Sequence, residues 1–138
     1  MTTTYIWLPG QPIGKGRPRF TRTGRVYTPE KTRKFEHRLA AAASDYMALH
    51  DLEPTAGPCQ MVIKAQFEIP KSWTKAKKAA AEAYEILPGK PDIDNIAKIV
   101  LDSFNGVVFE DDAQVYDLKV VKTYGDPCLL TEVTCWKW

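Results

Sequence analysis

Six acidic residues crowd between positions 92 and 112: Asp92, Asp94, Asp102, Glu110, Asp111 and Asp112. Carboxylate oxygens are hard ligands suited to Mg²⁺, with Mn²⁺ as a substitute. One or two of them, with substrate phosphate oxygens and water, complete such a cation's octahedron. A cation held there lowers the pKa of an attacking water and offsets charge on the phosphate under attack. A helix through this stretch sets Asp94, Lys98 and Asp102 at i, i+4 and i+8, so an ammonium lies within a turn of two carboxylates. That ammonium can stabilise a phosphorane-like transition state. Each residue also has a purely structural reading. Asp92 and Asp94 can cap a helix N-terminus, Lys98 can form an ion pair worth about 0.2–0.5 kcal/mol, and Asp111-Asp112 can be a turn.

The overall charge of +2 conceals an asymmetry. Residues 1–40 carry nine Lys or Arg against Glu30 and Glu36, a net of +7, which leaves −5 on the remainder. A basic end beside an acidic one suits an enzyme that draws in a polyanion and holds cations against it; a solvated basic face is the plainer alternative. Lys15, Arg17, Arg19, Arg22 and Arg25 fall in a Gly- and Pro-rich stretch, about 10–27, where they can follow a nucleic-acid backbone. Lys71, Lys75, Lys77 and Lys78 can extend that surface or simply solvate a helix.

Other chemistries find little support. Cys59, Cys128 and Cys135 lack Cys-x-x-Cys spacing and only His37 and His50 accompany them, so packed, reduced thiols are expected rather than a zinc site. No motif for an organic cofactor is apparent. There is no run of about 18 apolar residues and no secretory leader, which leads us to expect a soluble, cytoplasmic protein with no membrane partner.

With 138 residues, 44% of them hydrophobic, one domain over 1–138 is expected. The elements that must position the acidic stretch follow from periodicity. TTYIWL (3–8) reads as a strand ended by Pro9-Gly10, and 10–26 as loop. Thr28 as N-cap with Pro29 at the first helical position predicts a helix over about 29–49, with Phe35, Leu39, Ala42, Ala43, Tyr46 and Met47 inward. Residues 59–69 alternate as a half-buried strand. Ser72 is expected to cap a second helix through Tyr84, and DIDNIAKIVLDSFNG reads as a third, ended by a left-handed Gly106 and burying Ile96, Ile99, Val100, Ser103 and Phe104. Two β-rich runs joined by Gly125-Asp126-Pro127 predict a C-terminal hairpin. The order β-α-β-α-α-β-β gives an α+β (mixed α/β) fold, a mixed sheet flanked by helices.

KPDIDNIAKIVLDSFNG followed by EDDAQV, and the upstream LPGQPIGKGRPRFTRTGRVYTPEKTRKFE, resemble RusA-type Holliday junction resolvases, particularly phage and prophage members, over essentially the whole chain. The resemblance implies that Asp92, Asp94 and Asp112 are the essential metal-site aspartates, that Lys98 is the active-site lysine, and that Asp111 is a second-rank candidate, all within a segment of about 90–114. Lys90 stands where some members carry an arginine that contacts DNA. It further implies a Mg²⁺-dependent homodimer that cuts four-way junction DNA symmetrically; two related cuts are matched most simply by a two-fold dimer. The alternatives are a metal-dependent nuclease for other branched or single-stranded DNA on the same fold, and a DNA-binding module without catalysis. Phe20 can wedge between bases at the crossover or be a buried anchor for its loop. Trp136 and Trp138 are expected to serve core or dimer packing.

Overall fold

The computed structural model describes residues 1–16 and 19–137, with Arg19 placed by its backbone alone. Strand β1 (Thr2–Pro9) alternates, burying Thr4, Ile6 and Leu8 and exposing Tyr5 and Trp7. The stretch expected to be loop then contains a small antiparallel hairpin, β2 (Arg19–Phe20) with β3 (Val26–Tyr27). Its tip is closed locally: the Thr21 N–H donates to the Arg25 carbonyl at 2.8 Å and the Arg25 N–H to Thr21 Oγ1 at 3.1 Å. Gly24 supplies the left-handed turn residue at φ +80°. Five basic residues within a Gly/Pro-rich segment hid this pairing, because only two residues on each side take part.

Helix α1 (Glu30–Leu49) starts one residue later than expected, with Pro29 rather than Thr28 as N-cap and no side-chain cap. Pro29 remains extended and contributes its carbonyl, which accepts from the Arg33 N–H at 3.1 Å; a proline can accept that bond, although it cannot donate one. Strand β4 (Cys59–Phe67) follows, buried on alternate residues as predicted and ending before Ile69. Helix α2 (Lys75–Glu82) is capped by Thr74, whose hydroxyl accepts from the Lys77 N–H at 3.2 Å, and not by Ser72. Residues 70–73 are already closed as a turn, with the Trp73 N–H on the Pro70 carbonyl. The helix also ends short of Tyr84, whose φ of +61° is incompatible with its continuation.

Helix α3 (Ile93–Phe104) ends as expected at Asn105 and a left-handed Gly106. A 3₁₀ turn (Asp112–Gln114) leads into β5 (Val115–Tyr124), and β6 (Cys128–Cys135) completes the chain's regular structure. These last two strands do not form a hairpin. The sheet order is β1-β6-β4-β5, with β4 and β5 parallel and β6 antiparallel to both β4 and β1. Gly125 to Pro127 therefore carries the chain across the end of β4, where the Gly125 N–H meets the Phe67 carbonyl and the Gly10 N–H meets that of Pro127. Burial explains the choice. β6 buries Leu129, Thr131, Val133 and Cys135 and belongs inside the sheet, whereas β5 exposes Tyr116, Asp117, Leu118 and Lys119 and suits an edge.

The fold is α+β, with α1 and α3 on one face of the mixed sheet. Phe35, Leu39, Ala43 and Met47 of α1 and Ile96, Ile99, Val100 and Phe104 of α3 meet Ile6, Met61, Ile63 and Val133 in one core. Cys59 and Cys135 face each other across β4 and β6; burial pushes both thiols up, so they remain protonated and packed. No helix among the described residues is long and apolar enough to cross a membrane.

Candidate active site

Helix α3 is held against the sheet by fully buried Ile96, Ile99, Val100 and Phe104, which fixes the direction of its opposite face. That face carries Asp94, Lys98 and Asp102, and with Asp112, Ile93, Leu118 and Val120 it lines a cleft of about 480 Å³. The cleft combines segments distant in sequence: α3, the 3₁₀ turn and edge strand β5. A second hollow, about 500 Å³, is lined by Leu52, Pro54, Gly57 and Cys135 together with Asp51, Glu53 and Lys137, and shares no residue with the cleft along α3.

Asp112 owes its position to the loop after α3. Val108 and Phe109 are buried, Phe109 packs edge-on against Phe104 at 6.5 Å, and the Thr55 N–H and carbonyl pair with Val108 and Glu110. Asn105 then grips Asp112 from two sides. Its Oδ1 accepts from the Asp112 N–H at 2.8 Å and its Nδ2 donates to Oδ2 at 3.4 Å. The sequence carries no signal for this role of the Asn105 amide. Asp111, beside it, forms a reciprocal cap: Oδ1 accepts from the Ala113 N–H and its own N–H donates to Gln114 Oε1. Asp111 is thereby committed to shaping the turn.

Asp92 is the N-cap residue of α3, but its side chain makes no capping bond. Its carboxylate instead meets Lys90 Nζ at 3.0 and 3.2 Å. The segment before it is pinned by Lys122 of β5, whose ammonium donates to the Gly89 and Pro91 carbonyls. The structure thus brings Asp94, Lys98 and Asp112 into one cleft and leaves Asp92 outside its lining, on the preceding turn. Lys122 was also missed, since a lysine on an edge strand carries no signal of a carbonyl partner 31 residues away.

Among the described residues no three acidic, His or Cys side chains are gathered closely enough to hold a metal ion by themselves. The donor set nevertheless fits a hard cation that takes its remaining ligands from phosphate and water, because two carboxylates from different elements line the same cleft.

The basic residues divide into two groups. Arg22 and Arg25 stand exposed at the hairpin tip, beside a Phe20 that is 72% exposed, which overturns the reading of Phe20 as a buried anchor. Arg17 lies outside the described residues, as does Trp138, and of Arg19 only the backbone is placed. Lys15 is different: its ammonium contacts Glu36 of α1 and Asp102 of α3, the latter at 3.1 Å, and only 18% of its side chain is exposed. Burial works against the charged form, but the two carboxylates outweigh it and hold the Lys15 pKa above its ordinary value. Lys77 of α2 lies over the Trp73 ring, 4.0 Å from its centroid. Trp136, just beyond β6, packs near Tyr116.

The profile of the family described as endodeoxyribonuclease RusA matches residues 9–134, a span that takes in the hairpin, α3 and the whole cleft. The chain is also 37% identical over 123 residues to an uncharacterized protein, YqaN, of Bacillus subtilis (strain 168), covering 85% of this chain and 84% of that protein.

Proposed function

Since the chain belongs to the RusA family of endodeoxyribonucleases, we propose that it resolves four-way (Holliday) junctions in DNA recombination and repair, as a homodimer making paired, symmetric nicks with Mg²⁺ or Mn²⁺. The observation that carries this reading is the meeting of Asp94, Lys98 and Asp112 in one cleft from two separated segments. Asp94 and Asp112 would hold the cation, with Asp92 as a further ligand from the cleft's edge when substrate is bound. The cation supplies a lowered pKa for a bound water and charge neutralisation at phosphorus.

The chain's own groups do the rest. Asn105 holds the Asp112 backbone at 2.8 Å and reaches its carboxylate at 3.4 Å, which lowers the orientational freedom to be lost when substrate arrives. The Lys98 ammonium, one helical turn from Asp94, stabilises the negative charge that builds on the non-bridging oxygens as water adds and the 3′ oxygen leaves. Arg22 and Arg25, with Arg17, Arg19 and Lys90, follow the phosphate backbones and set register without reading sequence. Phe20, an exposed ring of the same hairpin, would press into the opened crossover. A two-fold dimer presents two such clefts to two strands of like polarity.

The test is cleavage of an end-labelled synthetic four-way junction beside linear duplex and single strands, each with Mg²⁺ or EDTA. Metal-dependent paired nicks confined to the junction are expected. Cutting of linear DNA would make the protein a general nuclease, and binding without cutting at any metal concentration would sink the catalytic reading.

A further inference from the structure

Lys15 sits in the basic segment, yet its environment is that of an internal strut. Residues 14–16 thread between α1 and α3 and are bonded to both. The Lys15 N–H donates to the Asn95 carbonyl at 2.8 Å, and the Gly16 N–H donates at 3.1 Å to the hydroxyl of Thr32, a buried residue of α1. The two glycines are there because nothing larger fits. A Cβ at Gly14 would lie 2.7 Å from Pro91 Cβ, and one at Gly16 would lie 2.7 Å from Thr32 Oγ1. Between them the Lys15 ammonium bridges Glu36 of α1 and Asp102, the last carboxylate along the cleft face of α3. A side chain so placed commits two of its three donors to carboxylates, and its charge is already matched by them.

We propose that Lys15 is a positioning residue: it locks the stem of the basic hairpin to the acidic cleft and so sets the distance between the DNA-holding arm and the reacting phosphate. This rests on the nuclease reading above and gives Gly14-Lys15-Gly16 a role other than phosphate contact. The ammonium also serves as the permanent counter-ion of Asp102, which keeps that carboxylate turned to the protein while Asp94 and Asp112 face substrate. Loss of the strut leaves the hairpin able to bind DNA but with its stem free to shift, and misplacement of a substrate by about 1 Å can cost up to about a hundredfold in rate.

The experiment compares Lys15→Met and Lys15→Arg with the unmodified protein in three readouts: junction cleavage with Mg²⁺, junction binding against salt in Ca²⁺, and amide hydrogen exchange. For Lys15→Met we expect kcat to fall about tenfold or more with KM and the salt slope of binding unchanged. Lys15→Arg, which can still reach both carboxylates, is expected to recover most of that loss. Exchange at residues 15 and 16 should accelerate at least tenfold in Lys15→Met while the core amides of α1 and α3 stay protected. A salt slope lowered by about one unit with kcat unchanged would make Lys15 a phosphate contact and overturn the proposal. So would unaltered exchange at 15 and 16. If Lys15→Met does not fold, Asp102→Asn, which keeps the bond to Glu36, carries the same readouts with the same expected directions. The exchange arm judges the strut even if the unmodified protein cuts no junction, which would instead refute the nuclease reading.

Discussion

The acidic cleft and the basic hairpin are built on opposite principles. Two walls of the cleft stand on the core: α3 is nailed down by Ile96, Ile99, Val100 and Phe104, and the loop to Asp112 by Val108 and Phe109, all at most 1% exposed. The hairpin stands on almost nothing, with two residues paired on each side and Phe20, Val26 and Tyr27 all exposed. It joins the body at the stem, residues 14–16, on one side and at Pro29, the N-cap of α1, on the other. Groups that must meet a transition state gain from having no freedom to lose, whereas an arm that must fit the varied shape of a branched duplex gains from a low cost of adjustment. The contrast yields a consistent rule for perturbation: changes in the cleft should abolish chemistry or unfold the protein, and changes at the tip of the hairpin, beyond its stem, should alter binding alone.

The sharpest break is at the carboxylates. Asp94→Asn keeps volume and polarity but removes the charge, and should lower the rate of junction cleavage by at least about a hundredfold while leaving junction affinity in Ca²⁺ within a few-fold. Single-turnover cleavage with a parallel gel-shift measurement decides it. Substantial cutting by Asp94→Asn would remove that residue from the reaction.

Next in size is stability, where two phenylalanines of opposite placement make a direct comparison. Phe109→Ala empties a fully buried site that packs on Phe104, and should destabilise by about 3–5 kcal/mol in urea unfolding. Phe20→Ala removes an exposed ring and should fall within about 0.5 kcal/mol of the unmodified protein, with its effect confined to junction binding. Equal losses would mean that the hairpin is packed more firmly than its exposure implies.

The same contrast explains what could be read from the sequence. Helices α1 and α3 were legible because their apolar residues recur at 3.6-residue spacing over several turns, and the cleft face of α3 followed from the remainder of that pattern. Strand partners were not, since alternation in β5 and β6 states only that each buries one face. The two strands are joined by a turn typical of hairpins, yet β4 lies between them, paired with β5 on one edge and with β6 on the other. The approach of Asp112 to the cleft was suggested by family resemblance, but what holds it there, the Asn105 amide and the packing of Phe109, depends on contacts between side chains that no spacing encodes. Lys15 is the clearest case. Its neighbours in sequence are basic and point to phosphate, while its neighbours in space are Glu36 and Asp102.

The smallest expected effect separates the tip of the hairpin from its stem. Each phosphate neutralised by a lysine or arginine releases condensed counterions, so the slope of log K against log salt counts the contacts at about 0.9 per phosphate on duplex DNA. Arg22 and Arg25 lie exposed at the tip. Replacing either by Ala should reduce the magnitude of the slope by about one unit and weaken binding alike on junctions of different sequence, since a backbone contact carries no sequence information. The rate of cutting at saturating enzyme should stay nearly constant, because nothing at the tip supports the cleft. A slope unchanged in both variants would place the DNA away from this arm and leave Lys90, at the edge of the cleft, to be examined next as the principal cationic contact. A lowered single-turnover rate would show instead that the tip is coupled to the reacting phosphate, and the division between a rigid cleft and a compliant arm would then have to be drawn elsewhere in the chain.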